Sequence, residues 1–209
     1  GFNISQFGSE KDGDRNATLN GRFNWDITDA LSLDLSARYV DRKSDTDDQD
    51  SAWPPTPTEG LVIDTPGYNA TKEFYTGVGL SWSLFDDRLV QKARAKYTGL
   101  ERRGFNTGSL NGNDDRRLHL SYQATVTAAT PDFLDAEHSL TGAVEWEREH
   151  YKNAFPAFDP SQIPGKQRDL TSYVAEYRGA FLDTVFLGAG LRYDRNDQFK
   201  DTLTYSASA

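Results

Sequence analysis

The sequence predicts an all-β protein, an antiparallel up-and-down meander of about ten strands that forms part of a transmembrane β-barrel and stays open in this chain. Apolar and polar residues alternate with a period of two in segment after segment, as in Leu31–Tyr39 and Val185–Tyr193. This period indicates strands, because successive side chains of a strand leave opposite faces. The connections alternate between short and long, which is typical of outer-membrane barrels.

Composition supports strands with one face on lipid and the other on water. The 209 residues are 36% hydrophobic and 26% charged, and the mean hydropathy is −0.71. No stretch of the sequence approaches the roughly 18 consecutive apolar residues of a spanning helix, so a membrane form would have to be a barrel. The net charge of −9 disfavours nucleic acid as a partner. Cysteine is absent, which excludes disulfides and thiolate chemistry.

The alternation defines the strands in order along the chain. The predicted segments are 1–7, 14–26, 31–40, 73–84, 89–100, 116–127, 138–148, 169–181, 185–194 and 202–209. Short turns are predicted at Asp26–Ala30, Phe85–Arg88, Ala128–Glu137 and Leu182–Thr184. Long loops, rich in Asp, Asn, Gly and Pro, are predicted at Asp41–Lys72, Glu101–Asp115 and Glu149–Arg168. Because the first and last segments break off within the pattern, we expect this chain to be an internal piece of a barrel.

Aromatic residues lie at both ends of the apolar rows. Those at the turn end are Phe23, Trp25, Trp82 and Phe181, and those at the loop end are Tyr39, Phe74, Tyr97, Trp146, Tyr173 and Tyr193. Two aromatic girdles on an outward face are expected at two membrane–water boundaries. A soluble sandwich has no reason to sort its aromatic residues in this way.

The opposite face of the predicted strands is strongly charged. Its polar residues are Arg22, Asp34, Arg38, Lys92, Arg94, Lys96, Arg117, His119, Gln123, Glu145, Glu147, Glu149, Glu176, Arg178 and Arg192. Burial of such a set in a closed core would be costly, so we expect a wide lumen filled by water or by protein. Two rows of opposite charge lie two strands apart: a basic row of Lys92, Arg94 and Lys96 and an acidic row of Glu145, Glu147 and Glu149. We expect these rows to neutralise each other across the strands, and a surface for a plug or an anionic substrate is the alternative.

Several segments resemble one known family in order and spacing. These segments are Ser9–Trp25, Leu33–Asp41, Lys72–Trp82, Leu140–Trp146 and Gly188–Asp194. They resemble early barrel strands of the TonB-dependent outer-membrane receptors, most closely those of the cobalamin receptor type. Each motif is weak alone, and the ordered series, which covers nearly the whole chain, carries the resemblance.

The resemblance implies a bacterial outer-membrane transporter with a 22-stranded barrel and an amino-terminal plug inside it. Residues 1–209 would then be a partial barrel domain without the plug or the C-terminal strands. Implied partners are outer-membrane lipid, the plug of the same parent chain, the TonB energy-coupling complex and a small metal chelate. Cobalamin or a ferric siderophore is the expected substrate, and haem and a saccharide are also compatible with the same wall.

Two groups of residues are candidate sites. Asp45, Asp47, Asp48 and Asp50 offer the hard oxygen ligands that Ca²⁺ prefers, although their spacing is not that of an EF-hand. The cobalamin-type receptors order this loop with calcium, and a solvated acidic loop is the alternative. The residues expected to contact a chelate at the outer mouth are Trp53, Tyr68, Arg102, Arg103, Phe105, Phe155 and Phe158.

Three other functions remain open at the sequence level. A non-transporting outer-membrane barrel, such as a porin or an adhesin, would show the same strand pattern. A soluble β-rich binding domain would need its apolar faces to meet each other. An enzyme is not expected, because His119, His138 and His150 are accompanied by neither a Gly-x-Ser-x-Gly elbow nor a His-Glu-x-x-His pair.

Overall fold

A computed structural model describes residues 12–106, 108–154 and 165–209. They form one antiparallel sheet whose nine strands pair in sequence order. The strands are β1 (Asp14–Thr28), β2 (Leu31–Gln49), β3 (Val62–Leu84), β4 (Leu89–Asn106), β5 (Ser109–Thr130), β6 (Ala136–Asn153), β7 (Lys166–Phe181), β8 (Val185–Asn196) and β9 (Thr202–Ser208). The predicted all-β meander is confirmed, and the predicted segment 1–7 lies outside the described residues.

The register places the apolar residues of neighbouring strands on one face. Leu35 of β2 lies opposite Val78 of β3, which lies opposite Ala95 of β4, which in turn lies opposite Leu120 of β5. Their sequence neighbours leave the other face, which we call the inner face, whereas the apolar face is the outward face. A slip of one residue would exchange the two faces, so the alternation excludes odd shifts of register, and the short turns select among the even ones.

The strands extend beyond their predicted ends on the long-loop side. β2 continues to Gln49, and β4 and β5 continue until Asn106 lies opposite Ser109. The predictions of long irregular loops at Asp41–Lys72 and Glu101–Asp115 are therefore largely wrong. The backbone hydrogen bonds of an antiparallel pair form with any side chains, so the ladder continues beyond the apolar alternation that marked the predicted strand ends.

The short turns on the other side are confirmed. Leu182 and Asp183 have φ values of 53° and 51°, and Thr184 N donates a hydrogen bond to Phe181 O at 3.1 Å. Positive φ at both central residues gives a turn whose twist matches that of the flanking strands. This geometry explains how two long strands are joined by so few residues.

The sheet has no packed hydrophobic core among the described residues. The only buried apolar side chains there are Val40 and Ala136, whereas outward residues such as Trp82 and Leu120 are 42% and 40% exposed. Within residues 12–106, 108–154 and 165–209, no helix has the length and apolar character needed to cross a membrane. The fold is therefore a single layer held by backbone ladders and cross-strand contacts.

The loop-end aromatic residues form an oblique row across the outward face. Tyr39 lies opposite Phe74, but Tyr97 lies opposite Thr76, and Trp146 lies opposite Leu120. From β2 towards β8, the aromatic residues therefore lie progressively nearer the short turns, as expected where a flat boundary crosses tilted strands. In the described part of the chain, β1 pairs only with β2 and β9 only with β8, so the sheet is open.

Candidate functional site

The acidic row of the inner face is neutralised by arginines. The carboxylate of Glu147 lies between Arg117, with which it makes a close ion pair, and Arg168, whose guanidinium is 3.8 Å away. Glu149 pairs with the same two arginines at 3.6 Å and 2.7 Å. Sequence reasoning placed Arg168 at the end of a loop and missed it, whereas the structure places it opposite Glu149 on β7.

A second ion-paired cluster lies at the β6, β7 and β8 strands. Arg192 pairs with Glu145 at 3.0 Å and with Asp194 at 2.8 Å, and it donates a hydrogen bond to Ser172 Oγ at 2.8 Å. Ser172 is almost fully buried. The guanidinium thereby joins three strands and is shared between two carboxylates.

The basic row of the inner face lacks such partners. Lys92, Arg94 and Lys96 on β4 have no carboxylate within 4.0 Å among the described residues. They line a hollow of about 430 Å³ together with Arg22, and its lining includes Asp34, which already pairs with Arg22 at 3.0 Å. The predicted neutralisation thus holds for the acidic row, through arginines, and not for the basic row.

His119 lies between the two rows. In register it sits between Lys96 of β4 and Glu147 of β6. Its Nδ1 atom is buried without a hydrogen-bond partner among the described residues. His119 lines a second, smaller hollow with Lys96, Arg117 and Glu147, so Lys96 borders both hollows. The unpaired cations of the basic row favour an anionic partner.

Asp50 organises the connection between β2 and β3. Its carboxylate accepts hydrogen bonds from the Thr56 hydroxyl, from Thr58 Oγ1 at 2.6 Å and from Ala52 N at 3.0 Å. These bonds, chiefly those from the two threonines, lower the pKa of Asp50 below its usual value. The connection therefore holds Trp53, whose side chain is 87% exposed, on an ordered turn.

The other aspartates predicted to bind calcium lie on β2 or at its end. Asp45 pairs with Lys43 at 2.8 Å, Asp47 accepts a hydrogen bond from Thr65 N at 3.2 Å, and Asp48 accepts one from Gln49 N at 2.9 Å. Across the described residues, no three His, Cys, Asp or Glu side chains are arranged to hold a metal ion. Calcium binding here stays a prediction.

The residues predicted to contact a chelate do not converge. Tyr68 stacks on Phe105 at a centroid distance of 6.3 Å, on the outward face shared with Phe74. Arg103 pairs with Asp114 at 2.6 Å. Arg102 and Arg103 are consecutive on β4, so their side chains leave opposite faces.

Of the remaining predicted contacts, Trp53 is free at the tip of its turn, and Phe155 and Phe158 lie outside the described residues. Sequence reasoning treated Tyr68, Arg102, Arg103 and Phe105 as loop residues and could not assign them to faces, whereas the structure places them on β3 and β4.

The three histidines are also separated. His119 lies on the inner face of β5, and His138 and His150 lie on the outward face of β6. His138 is held by Tyr177 and Thr130 at 2.8 and 2.9 Å. The absence of catalysis stays a prediction.

No protein-family model and no curated protein sequence matches this chain. Solved structures do match it. The siderophore receptor PirA from Pseudomonas aeruginosa is 15% identical with a TM-score of 0.70, covering 93% of this chain and 30% of that receptor. The sheet has the fold of part of a receptor barrel.

Two further receptors share this fold. A mutant ferric enterobactin receptor, PfeA, from Pseudomonas aeruginosa, in complex with enterobactin, is 16% identical with a TM-score of 0.69, covering 94% of this chain and 31% of that receptor. BauA, the ferric preacinetobactin receptor from Acinetobacter baumannii, is 12% identical with a TM-score of 0.63, covering 94% and 36%. The chain thus spans about a third of the length of these receptors.

Proposed function

We propose that this chain is a wall section of a TonB-dependent outer-membrane receptor that takes up a ferric siderophore. The proposal rests on the difference between the two faces of the sheet, because one face is apolar and the other is charged. An exposed apolar face this extensive is unfavourable in water but is required against lipid. The charged inner face is, conversely, compatible only with a wet or protein-filled lumen.

The solved siderophore receptors that share the fold support iron uptake as the function. Cobalamin is the second candidate, and it is supported by the sequence resemblance alone. The plug and the TonB complex follow from the same resemblance and are part of this proposal.

The unpaired basic row gives the inner face a specific role in this function. Lys92, Arg94 and Lys96 would attract an anionic ferric chelate, or carboxylates of the plug, into the hollow that they line. Because no carboxylate of the described wall neutralises them, their charge is available to a partner.

Growth on defined iron sources tests the proposed substrate. A strain that lacks the intact receptor should fail to grow on one ferric siderophore under iron limitation, and a plasmid copy should restore growth. Cobalamin uptake should be unchanged. A defect in cobalamin uptake alone would favour the second candidate, and no defect on any chelate would contradict the proposal.

Neutral variants test the basic row in the intact receptor. Replacement of Lys92, Arg94 and Lys96 by Gln should lower the affinity for the transported chelate roughly tenfold, because three attractive charges are lost. The inner-face control removes three cations outside the hollow by the substitutions Arg38→Gln, Arg42→Gln and Arg178→Gln. Equal affinities in the two variants would show that the row has no specific role.

A further inference from the structure

We propose that the basic row binds an anion together with a proton, and that His119 is the residue that takes up this proton. The ligand is a soluble oxyanion, that is, a small molecule whose negative charge lies on oxygen atoms. His119 would then set the charge of the site and hence its affinity for anions. This inference rests on the role proposed above for the basic row, but it does not depend on which chelate is transported.

His119 lies where the two hollows of the inner face meet. Lys96 is opposite His119 in register, and it lines both the hollow of about 430 Å³ and the smaller hollow of about 250 Å³. Side chains in directly opposite positions have Cβ atoms about 4.5–5.5 Å apart. A positive charge on the imidazole would therefore act on any anion that Lys96 binds.

The glycines of β3 leave room for an anion beside the basic row. Gly77 and Gly79 line the larger hollow. A Cβ atom built on Gly77 would lie 3.7 Å from Lys96 Cγ, and one built on Gly79 would lie 3.7 Å from Arg94 Cγ. The stems of these two basic side chains therefore lie over backbone that has no side chain. A larger residue at either position would fill the space next to the cations.

The ionisable side chains around His119 leave an excess of positive charge. Those that lie opposite, diagonal or next to it on the inner face of β4, β5 and β6 are Arg94, Lys96, Arg117, Glu145, Glu147 and Glu149. Each of the three carboxylates pairs with an arginine of the inner face. An imidazolium would therefore add to the charge of Lys96 and Arg94, because no free carboxylate among the described residues offsets it.

This arrangement couples the proton to the anion. An imidazolium at His119 and the ammonium of Lys96 repel each other, and an anion bound between them offsets that repulsion. By thermodynamic linkage, a proton that strengthens anion binding is itself bound more strongly when the anion is present.

His119 is suited to this role by its position and by its free ring nitrogen. Of the three histidines, it alone lies on the inner face, and its buried Nδ1 atom makes no hydrogen bond with any described residue. Both ring nitrogens of His138, by contrast, lie 2.8–2.9 Å from the Tyr177 and Thr130 hydroxyls. Histidine is the side chain that ordinarily changes its charge between about pH 5 and pH 8.

Sulfate binding to the intact receptor tests the coupling. Sulfate is the probe because its own charge is constant over the pH range in which histidine titrates. Equilibrium dialysis measures the affinity, and titration calorimetry in two buffers of different ionisation enthalpy measures the protons taken up with each anion. The variants are His119→Gln, which stays neutral, and His119→Lys, which stays charged. His138→Gln is the matched control on the outward face.

The unmodified receptor and the His138→Gln control should bind sulfate about fivefold more tightly at about pH 5.5 than at about pH 8, with net uptake of protons. His119→Gln should show neither effect and should match the unmodified receptor at the higher pH. His119→Lys should bind tightly at both values, a gain that a folding defect could not produce. Combined replacement of Lys92, Arg94 and Lys96 by Gln should weaken binding at both.

The inference would be overturned if His119→Gln kept the pH dependence, if sulfate bound without uptake of protons, or if sulfate did not bind to the basic row. Ferric chelate uptake is measured separately. A receptor that binds sulfate with a proton but transports no chelate would contradict the proposed function and leave the role of His119 supported.

Discussion

At the scale of single residues, Asp50 determines the order of the connection that carries Trp53. Its buried carboxylate accepts three hydrogen bonds within a short segment. Asp50→Ala removes these acceptors and should speed hydrogen exchange at the Ala52 amide about tenfold. Asp50→Asn should have a smaller effect, because its amide oxygen still accepts. Unchanged exchange in Asp50→Ala would show that the turn is held by other contacts.

The pH dependence of this turn follows from the same residue. The hydrogen bonds lower the pKa of folded Asp50 below its ordinary value of 3.8. A depressed folded pKa contributes stability above the unfolded value, and that contribution is lost as pH falls through the folded pKa. We therefore expect the protection of the Ala52 amide, measured as its exchange rate relative to an unstructured peptide at the same pH, to persist at neutral pH and to be lost only below about pH 3.8.

Glu147 is the inner-face residue most dependent on its partners. Its side chain is only 10% exposed and lies between Arg117 and Arg168. Replacement of both arginines by Ala should lower the free energy of unfolding by about 2 kcal/mol, because a poorly hydrated carboxylate loses its partners. Arg22→Ala, which breaks an exposed pair, should cost less than about 0.5 kcal/mol. Urea unfolding of the refolded receptor measures the free energy of unfolding of both variants. An equal loss in the two variants would contradict the argument that burial makes Glu147 dependent on its partners.

At the scale of elements, the β4–β5 hairpin depends on Gly112. This residue has a φ of 155°, and a Cβ atom built on it would lie 2.2 Å from Arg102 O. Gly112→Ala should therefore destabilise the outer part of the hairpin by about 1–3 kcal/mol. Gly142→Ala is the control, since its Cβ would meet nothing within 4 Å. Hydrogen exchange in the hairpin measures the effect, and equal protection in both variants would contradict it.

Calcium binding at the end of β2 is a second prediction at this scale. We propose that Asp45, Asp47, Asp48 and Asp50 rearrange around Ca²⁺ with oxygen distances of roughly 2.3–2.6 Å. Calcium would order this segment before the metal chelate binds, and the affinity of the receptor for that chelate would then increase by about 1–3 kcal/mol. Asp45→Asn with Asp47→Asn should abolish that coupling and leave the barrel folded. The prediction would be contradicted if titration calorimetry on the intact receptor gave the same affinity for the metal chelate in the presence of calcium and after calcium had been removed by an excess of a calcium-binding agent.

At the scale of the whole molecule, the sequence was sufficient for the sheet but not for the site. Strict alternation at residues such as Leu35 and Leu120 predicts the faces, and the short turns predict that consecutive strands pair, because a register shift of one residue would interrupt the apolar face. The partners of Glu147 and the stacking of Tyr68 on Phe105 depend on cross-strand register in the polar ends of the strands, where no apolar pattern marks which residues lie opposite.

The central claim is that one face of this sheet meets lipid and the other meets a polar lumen. Refolding of the intact receptor into lipid bilayers, with arginine at adjacent positions on the two faces, tests it most directly. Leu35→Arg, Leu80→Arg, Leu120→Arg, Val144→Arg and Leu187→Arg on the outward face should each cost about 2–4 kcal/mol, whereas the inner Ser36→Arg and Ser121→Arg should cost much less. Equal costs on the two faces would contradict the assignment of this sheet to a membrane barrel.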